Sequence, residues 1–227
     1  MQKLLLLHGA LGSQEHFNNL EIELARDFEV YRFNFKGHGG GEIPADGFSI
    51  PKFADEVLAF MNQNNLQKIN IFGYSMGGYI GLYLAKNFPE KIEKLFTLAT
   101  KWDWTLENAS RESKMLNPSV IKEKVPKYAG SLATLHGNQW EMLMEKTAAM
   151  MLDLGTNPTL KNNDLTTIET PILVAVGDKD NMVSIEETLT MYRLLPYGQL
   201  LVLPNTTHPI DRIDPSLLAY QIKNFFL

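Results

Sequence analysis

Cysteine is absent from the 227-residue chain. That excludes disulfides, a thiol nucleophile and thiolate metal sites. It also suits a reducing compartment. Long hydrophobic runs are missing as well. The run Leu4–Leu7 near the start is too short for the apolar core of a signal peptide and far too short to span a bilayer. The expectation is therefore a cytoplasmic protein. An excess of basic residues is lacking too: 21 Lys and Arg stand against 26 Asp and Glu, a formal charge of −5. Neither nucleic acid nor an anionic membrane is an expected partner, since both need clustered cations. The expected partner is a small-molecule substrate, with the chain a monomer or homodimer. There is no internal repeat and no low-complexity linker.

What the chain does have is an alternation of short apolar runs with longer stretches of helical spacing. Lys3–His8, Val30–Phe35, Lys68–Phe72, Leu95–Thr100, Ile172–Val176 and Gln199–Leu203 read as strands. They are mostly apolar with little alternation, as strands buried on both faces are. Phe53, Val57, Phe60 and Met61 carry a helical period behind a start signal at Ser49 and Pro51. Further helices fit Ile80–Phe88, Ile185–Leu195 and Pro215–Phe226. The predicted fold class is α/β, a doubly wound and mostly parallel sheet of six strands. About seventy residues separate the fourth and fifth strands, too many for a plain crossover. We therefore divide the chain into a core (1–100 and 171–227) and a small helical cap (101–170). Trp102, Trp104 and Trp140 lie in the cap, where they either pack its interior or line a substrate pocket together with Leu11.

The chemistry concentrates after the strands. Gly73-Tyr74-Ser75-Met76-Gly77 follows one strand and opens a helix, the setting of a G-x-S-x-G nucleophile elbow. The serine sits on a strained turn, and side chains two residues to either side would collide, so glycine is needed at 73 and 77. A serine hydroxyl needs a base. His208 supplies it, lying in the loop after the last strand, at the sheet end where ligands gather in open parallel sheets. His16 and His136 read as surface or cap residues, His8 as shaping its loop, and His38 as part of a mobile glycine-rich turn. The imidazole needs a carboxylate. Asp178 and Asp180 both follow the fifth strand. Asp180 lies further into the loop and can turn toward His208, while Asp178 can brace the turn. An oxyanion needs N–H donors. Met76, at the start of the helix, offers one, and Ala10 in the loop after the first strand offers the second, with Leu11 as the fallback.

His8-Gly9-Ala10-Leu11-Gly12-Ser13, Phe35-Lys36-Gly37-His38-Gly39, Gly73-Tyr74-Ser75-Met76-Gly77-Gly78, Gly177-Asp178-Lys179-Asp180 and Thr207-His208-Pro209 together resemble the α/β-hydrolase superfamily, in particular its compact capped members. The resemblance implies a triad of Ser75, Asp180 and His208 and an oxyanion hole from Ala10 and Met76, with no cofactor or metal. It departs from the family in two places. The chain opens at the first family strand with no antiparallel hairpin ahead of it, and Lys36 stands where members often carry proline. The activity this implies is that of a carboxylesterase acting on a small neutral or apolar ester through an acyl-enzyme. Small esterases, the pimeloyl-ester esterase of biotin synthesis and the menaquinone-pathway synthase look most alike. The synthase, however, characteristically has arginine where this chain has Tyr79. A lyase, synthase or C–C hydrolase using the same triad, or a non-catalytic small-molecule receptor, are the alternatives.

Overall fold

The computed structural model describes residues 1–227. Six strands form one sheet: β1 (Gln2–Leu7), β2 (Phe28–Arg32), β3 (Ile69–Tyr74), β4 (Ile92–Leu98), β5 (Ile172–Gly177) and β6 (Gly198–Leu203). Their order is β2-β1-β3-β4-β5-β6, and every pair is parallel. The alternation of side chains along each strand divides the apolar residues between two cores. Leu5, Leu7, Ile71, Leu95 and Val174 face one core, which is closed by α2 (Ile50–Gln63), α3 (Met76–Asn87) and α9 (Ile185–Leu194). Leu4, Leu6, Phe72, Phe96 and Ala175 face the other, closed by α1 (Asn18–Leu24) and α10 (Pro215–Phe226).

The helix starts follow local chemistry. The Ser49 hydroxyl accepts from Lys52 N–H and caps α2, with Pro51 in the first turn. Ser184 and Glu187 form a reciprocal capping box on α9, and Asp214 caps α10 ahead of Pro215. Two strands lie earlier in the chain than the sequence expectation: β4 spans Ile92–Leu98 rather than Leu95–Thr100, and β2 is displaced with a visible cause. β2 spans Phe28–Arg32 rather than Val30–Phe35. Its pairing with β1 stops at Arg32, and Phe33 and Phe35 leave the sheet to pack on Phe60 and Phe53 of α2. Apolar character there reports aromatic packing, not sheet pairing.

Between β4 and β5 lie α4 (Leu106–Met115), α5 (Pro118–Lys124), α6 (Pro126–His136), α7 (Trp140–Thr156) and the single turn α8 (Asn162–Leu165). This segment is welded to the sheet domain, not hung from it. Trp102, Met150, Leu154 and Leu165 belong to the same apolar cluster as the α2–α3 core. A smaller cluster joins Trp140, Leu143 and Met144 to Leu11 and Ile43 outside the segment. No helix is long and apolar enough to cross a membrane.

Candidate active site

The chain leaves β1 for β2 in one direction, then crosses back to β3 on the other side of β1. The carboxyl ends of β1 and β3 therefore flank the switch point at which open parallel sheets place ligands. Ser75 stands there, directly after β3, with φ 53° and ψ −115°. This strained conformation is held from three sides: Ser75 N–H donates to Leu98 C=O at 2.8 Å, while Ser75 C=O accepts from Gly78 N–H and from the Thr100 hydroxyl. The neighbouring glycines are a steric requirement. A Cβ at 73 would lie 2.5 Å from Gly77 O, and one at 77 would lie 2.2 Å from Leu7 O. Ser75 occupies the N-cap position of α3, yet its side chain makes no capping bond, so the hydroxyl is left for another partner.

His208 Nδ1 lies 2.8 Å from Asp180 Oδ2, and the Asp180 side chain is wholly buried. The other carboxylate oxygen accepts from Met182 N–H at 2.8 Å and Val183 N–H at 2.9 Å. With both oxygens fixed, the carboxylate holds the imidazole with Nδ1 protonated and Nε2 free to accept. Asp178 does something else: its Oδ1 accepts from Thr206 N–H at 3.1 Å, while Lys179 N–H donates to Thr206 C=O at 3.0 Å. The loops after β5 and β6 are stitched together by these bonds. Gly177 permits the approach, since a Cβ there would lie 2.1 Å from Thr206 O. Tyr74, next to the serine, donates its hydroxyl to His208 C=O at 3.0 Å, and burial pushes that phenol well above its ordinary pKa. The loop bearing His208 is thus tied both to β3 and to the Asp180 loop.

The N–H groups of Ala10 and Met76 donate to no backbone carbonyl. Met76 is the first residue of α3, so its N–H also carries the positive end of the helix dipole. Both residues line a cavity with Ser75 and His208.

Two chambers meet at Ser75. One, beneath the cap, is about 50 Å³ and lined largely by apolar side chains, among them Ile50, Tyr79, Met150 and Leu154. The other is about 400 Å³ and runs outward between Leu11, Leu132, Tyr128 and Ile210. Ala10, Ser75, Met151, Met182 and His208 border both. Of the pocket residues expected from sequence, Leu11 reaches the larger chamber and Trp104 the smaller. Trp102 and Trp140 border neither. Trp102 packs on Tyr79 and donates its indole N–H to Asn162 Oδ1 at 3.0 Å. Trp140 is buried in the cap cluster. Both are packing residues: Trp102, in the loop between β4 and α4, and Trp140, at the start of α7, are buried in apolar clusters and border neither chamber. Lys101, beside Trp102 and in position to reach a pocket under the cap, lines the small chamber, as do Met150 and Met151 of the Met-rich cap; Glu112 and Met182 also line it, with no sequence signal pointing to them.

The histidines also differ from expectation. His38 is not in a mobile turn. It is buried, packed against His8 with ring centroids 4.9 Å apart, and flanked by Phe48 and Phe53. His136 is buried in turn: Gly39 N–H donates to its Nδ1 at 3.0 Å, and its Nε2–H donates to Leu11 C=O at 2.9 Å. These two bonds tie the end of α6 to the glycine turn at Gly39 and to the loop carrying Ala10. Burial lowers the pKa of His8 well below the ordinary value, that of His38 to about 4, and that of His136 also.

A family model described as the alpha/beta hydrolase fold matches residues 3–136. The chain belongs to the alpha/beta hydrolase family. Among its relatives is an Agrobacterium fabrum protein named for carbamate hydrolysis, RutD, 25% identical over 98% of this chain and 92% of its own length. Another, from Bacillus subtilis, is named for 2-succinyl-6-hydroxy-2,4-cyclohexadiene-1-carboxylate synthesis and is 20% identical over 96% of this chain and 88% of its own. The solved structure of a thermophilic esterase from Thermogutta terrifontis superposes with a TM-score of 0.78 at 22% identity, covering 99% of this chain and 89% of that one. At that identity the superposition speaks for the fold.

Proposed function

We propose that this α/β-hydrolase is a serine carboxylesterase acting on short, uncharged acyl esters. The observation that carries the reading is the convergence on one small cavity of Ser75, of His208 buttressed by buried Asp180, and of the unengaged N–H groups of Ala10 and Met76. His208 Nε2 takes the proton as Ser75 Oγ attacks the ester carbonyl. The resulting oxyanion is met by the two N–H donors, which have no backbone acceptor to give up. Collapse expels the alcohol, which receives the proton from His208. Water, activated by the same imidazole, then releases the acid.

The chamber sizes point to short acyl groups. At roughly 10–15 Å³ per water-sized occupant, a space of about 50 Å³ takes a group of about four heavy atoms. The leaving alcohol then occupies the larger chamber. Charge argues for neutral substrates. Lys101, the one cation on the small chamber, is engaged by Glu112 and Glu187 at 3.7 and 3.5 Å, and no arginine borders either chamber. Tyr79, after the glycine pair, has its hydroxyl occupied by Leu160 N–H. The test is a series of p-nitrophenyl esters from acetate to dodecanoate, with a succinyl half-ester included. We expect kcat/KM to peak at about four carbons and the half-ester to be poorer than neutral esters of equal size. Preference for the half-ester would overturn the neutral-substrate reading. Absence of turnover across the series would overturn the esterase reading.

A further inference from the structure

The small chamber is lined mostly by apolar side chains, and two of its lining residues, Glu112 and Trp104, carry unmet hydrogen-bonding groups. Glu112, on α4, is buried, and its Oε1 is shared by Lys101 and by Arg111, whose guanidinium lies 3.1 Å away. Its Oε2 is buried with no partner. Trp104, just ahead of α4, has its indole N–H buried and likewise without a partner. Both residues border the same chamber as Ser75. A buried acceptor or donor left unpaired costs about 1–3 kcal/mol, more for a charged group. Two in one small chamber, one an acceptor and one a donor, are complementary to a guest that can donate and accept.

We infer that Glu112 and Trp104 determine specificity, selecting a short acyl group that carries an uncharged donor–acceptor, a hydroxyl above all, which donates to Glu112 Oε2 and accepts from Trp104 Nε1–H. This rests on the acyl-ester reading above and narrows it. A carboxylate at the same place would meet Glu112 and be repelled. An alkyl group would leave both protein atoms unpaired, the situation in which hydrogen-bonding sites discriminate most strongly. Four heavy atoms beyond the ester carbonyl, as in a 3-hydroxybutanoyl group, match the estimated capacity of the chamber.

The test compares p-nitrophenyl 3-hydroxybutanoate with p-nitrophenyl 3-methylbutanoate, in which a methyl replaces the hydroxyl. Wild type should favour the hydroxy ester by about tenfold or more in kcat/KM. Trp104→Phe and Glu112→Gln should each reduce that ratio several-fold, and together bring it to near one. Trp104→Phe preserves an aromatic ring, so it serves if the Glu112 variant does not fold. The same comparison is made by binding, as the melting shift with 3-hydroxybutanamide against 3-methylbutanamide. A wild-type ratio of one or less, or a ratio unchanged in both variants, overturns the inference. Hydrolysis of acetate without any hydroxyl preference overturns it alone. A hydroxyl preference in binding with no ester turnover supports it and overturns the esterase reading instead.

Discussion

The buried histidines make the fold acid-sensitive in a pH range where carboxylates contribute little. His8, His38 and His136 all have pKa values lowered chiefly by burial, so the folded protein takes up fewer protons than the unfolded chain as pH falls. The stability these groups confer is fully present above about pH 6.5, the ordinary value, and is lost as pH drops toward the folded values. For His38, with a folded pKa of about 4 against 6.5, the loss by pH 5 is about 2 kcal/mol. In a chain of this length that is a fall in Tm of about 4–8 °C from one residue, and His8 and His136 add to it in the same direction. Urea unfolding between pH 7.5 and 5.0 measures the slope. His38→Asn keeps a donor for Lys36 C=O, which His38 Nδ1 now bonds at 3.1 Å. It should lower stability at pH 7.5 through lost aromatic packing, yet make the acid loss shallower by up to about 1.4 kcal/mol per pH unit. Stability that stays level from pH 6.5 to 5.0, or a His38 imidazole seen by NMR to titrate near 6.5, would refute the reasoning.

Other substitutions separate roles that the site geometry assigns. Asp180→Asn should reduce ester turnover by up to about 10⁴-fold, since an amide can hold the wrong imidazole tautomer, whereas Asp178→Asn should cost mainly stability; steady-state kinetics and thermal melts on both variants decide it. Tyr74→Phe removes the bond to His208 C=O and should cost about 1 kcal/mol of stability, with kcat falling several-fold and KM little changed. Leu143→Ala, at a fully buried position in the cap cluster that includes Leu11, should destabilise by about 2–5 kcal/mol, read by urea unfolding.

The sheet was legible because its strands are buried on both faces and read as continuous apolar runs, each ending in a chemically distinctive loop. β5 ends at Gly177 before the two aspartates, and β3 ends at Tyr74 before Ser75. β2 was displaced because Phe33 and Phe35 extend the apolar run while packing on a helix. The catalytic candidates could be read because the fold puts every strand's carboxyl end on one side. The small chamber could not, because it depends on how α4 and α7 cross. Gly155 on α7 approaches Ala109 on α4 so closely that a Cβ there would lie 2.4 Å from the alanine. That crossing brings Glu112 inward from Arg111-Glu112-Ser113-Lys114, a stretch whose composition reads as solvent-facing. His38 was misplaced for the converse reason: glycines suggested mobility, whereas Phe48 and Phe53 close over the ring.

The central claim is that Ser75 is a nucleophile activated by His208. Labelling with a fluorophosphonate, followed by peptide mass mapping, addresses it most directly. The account predicts stoichiometric modification of Ser75, with ester turnover lost in step, and no labelling in Ser75→Ala or His208→Ala folded to wild-type ellipticity. Ester turnover that persists in Ser75→Ala, or a label that settles on a different residue, would contradict it.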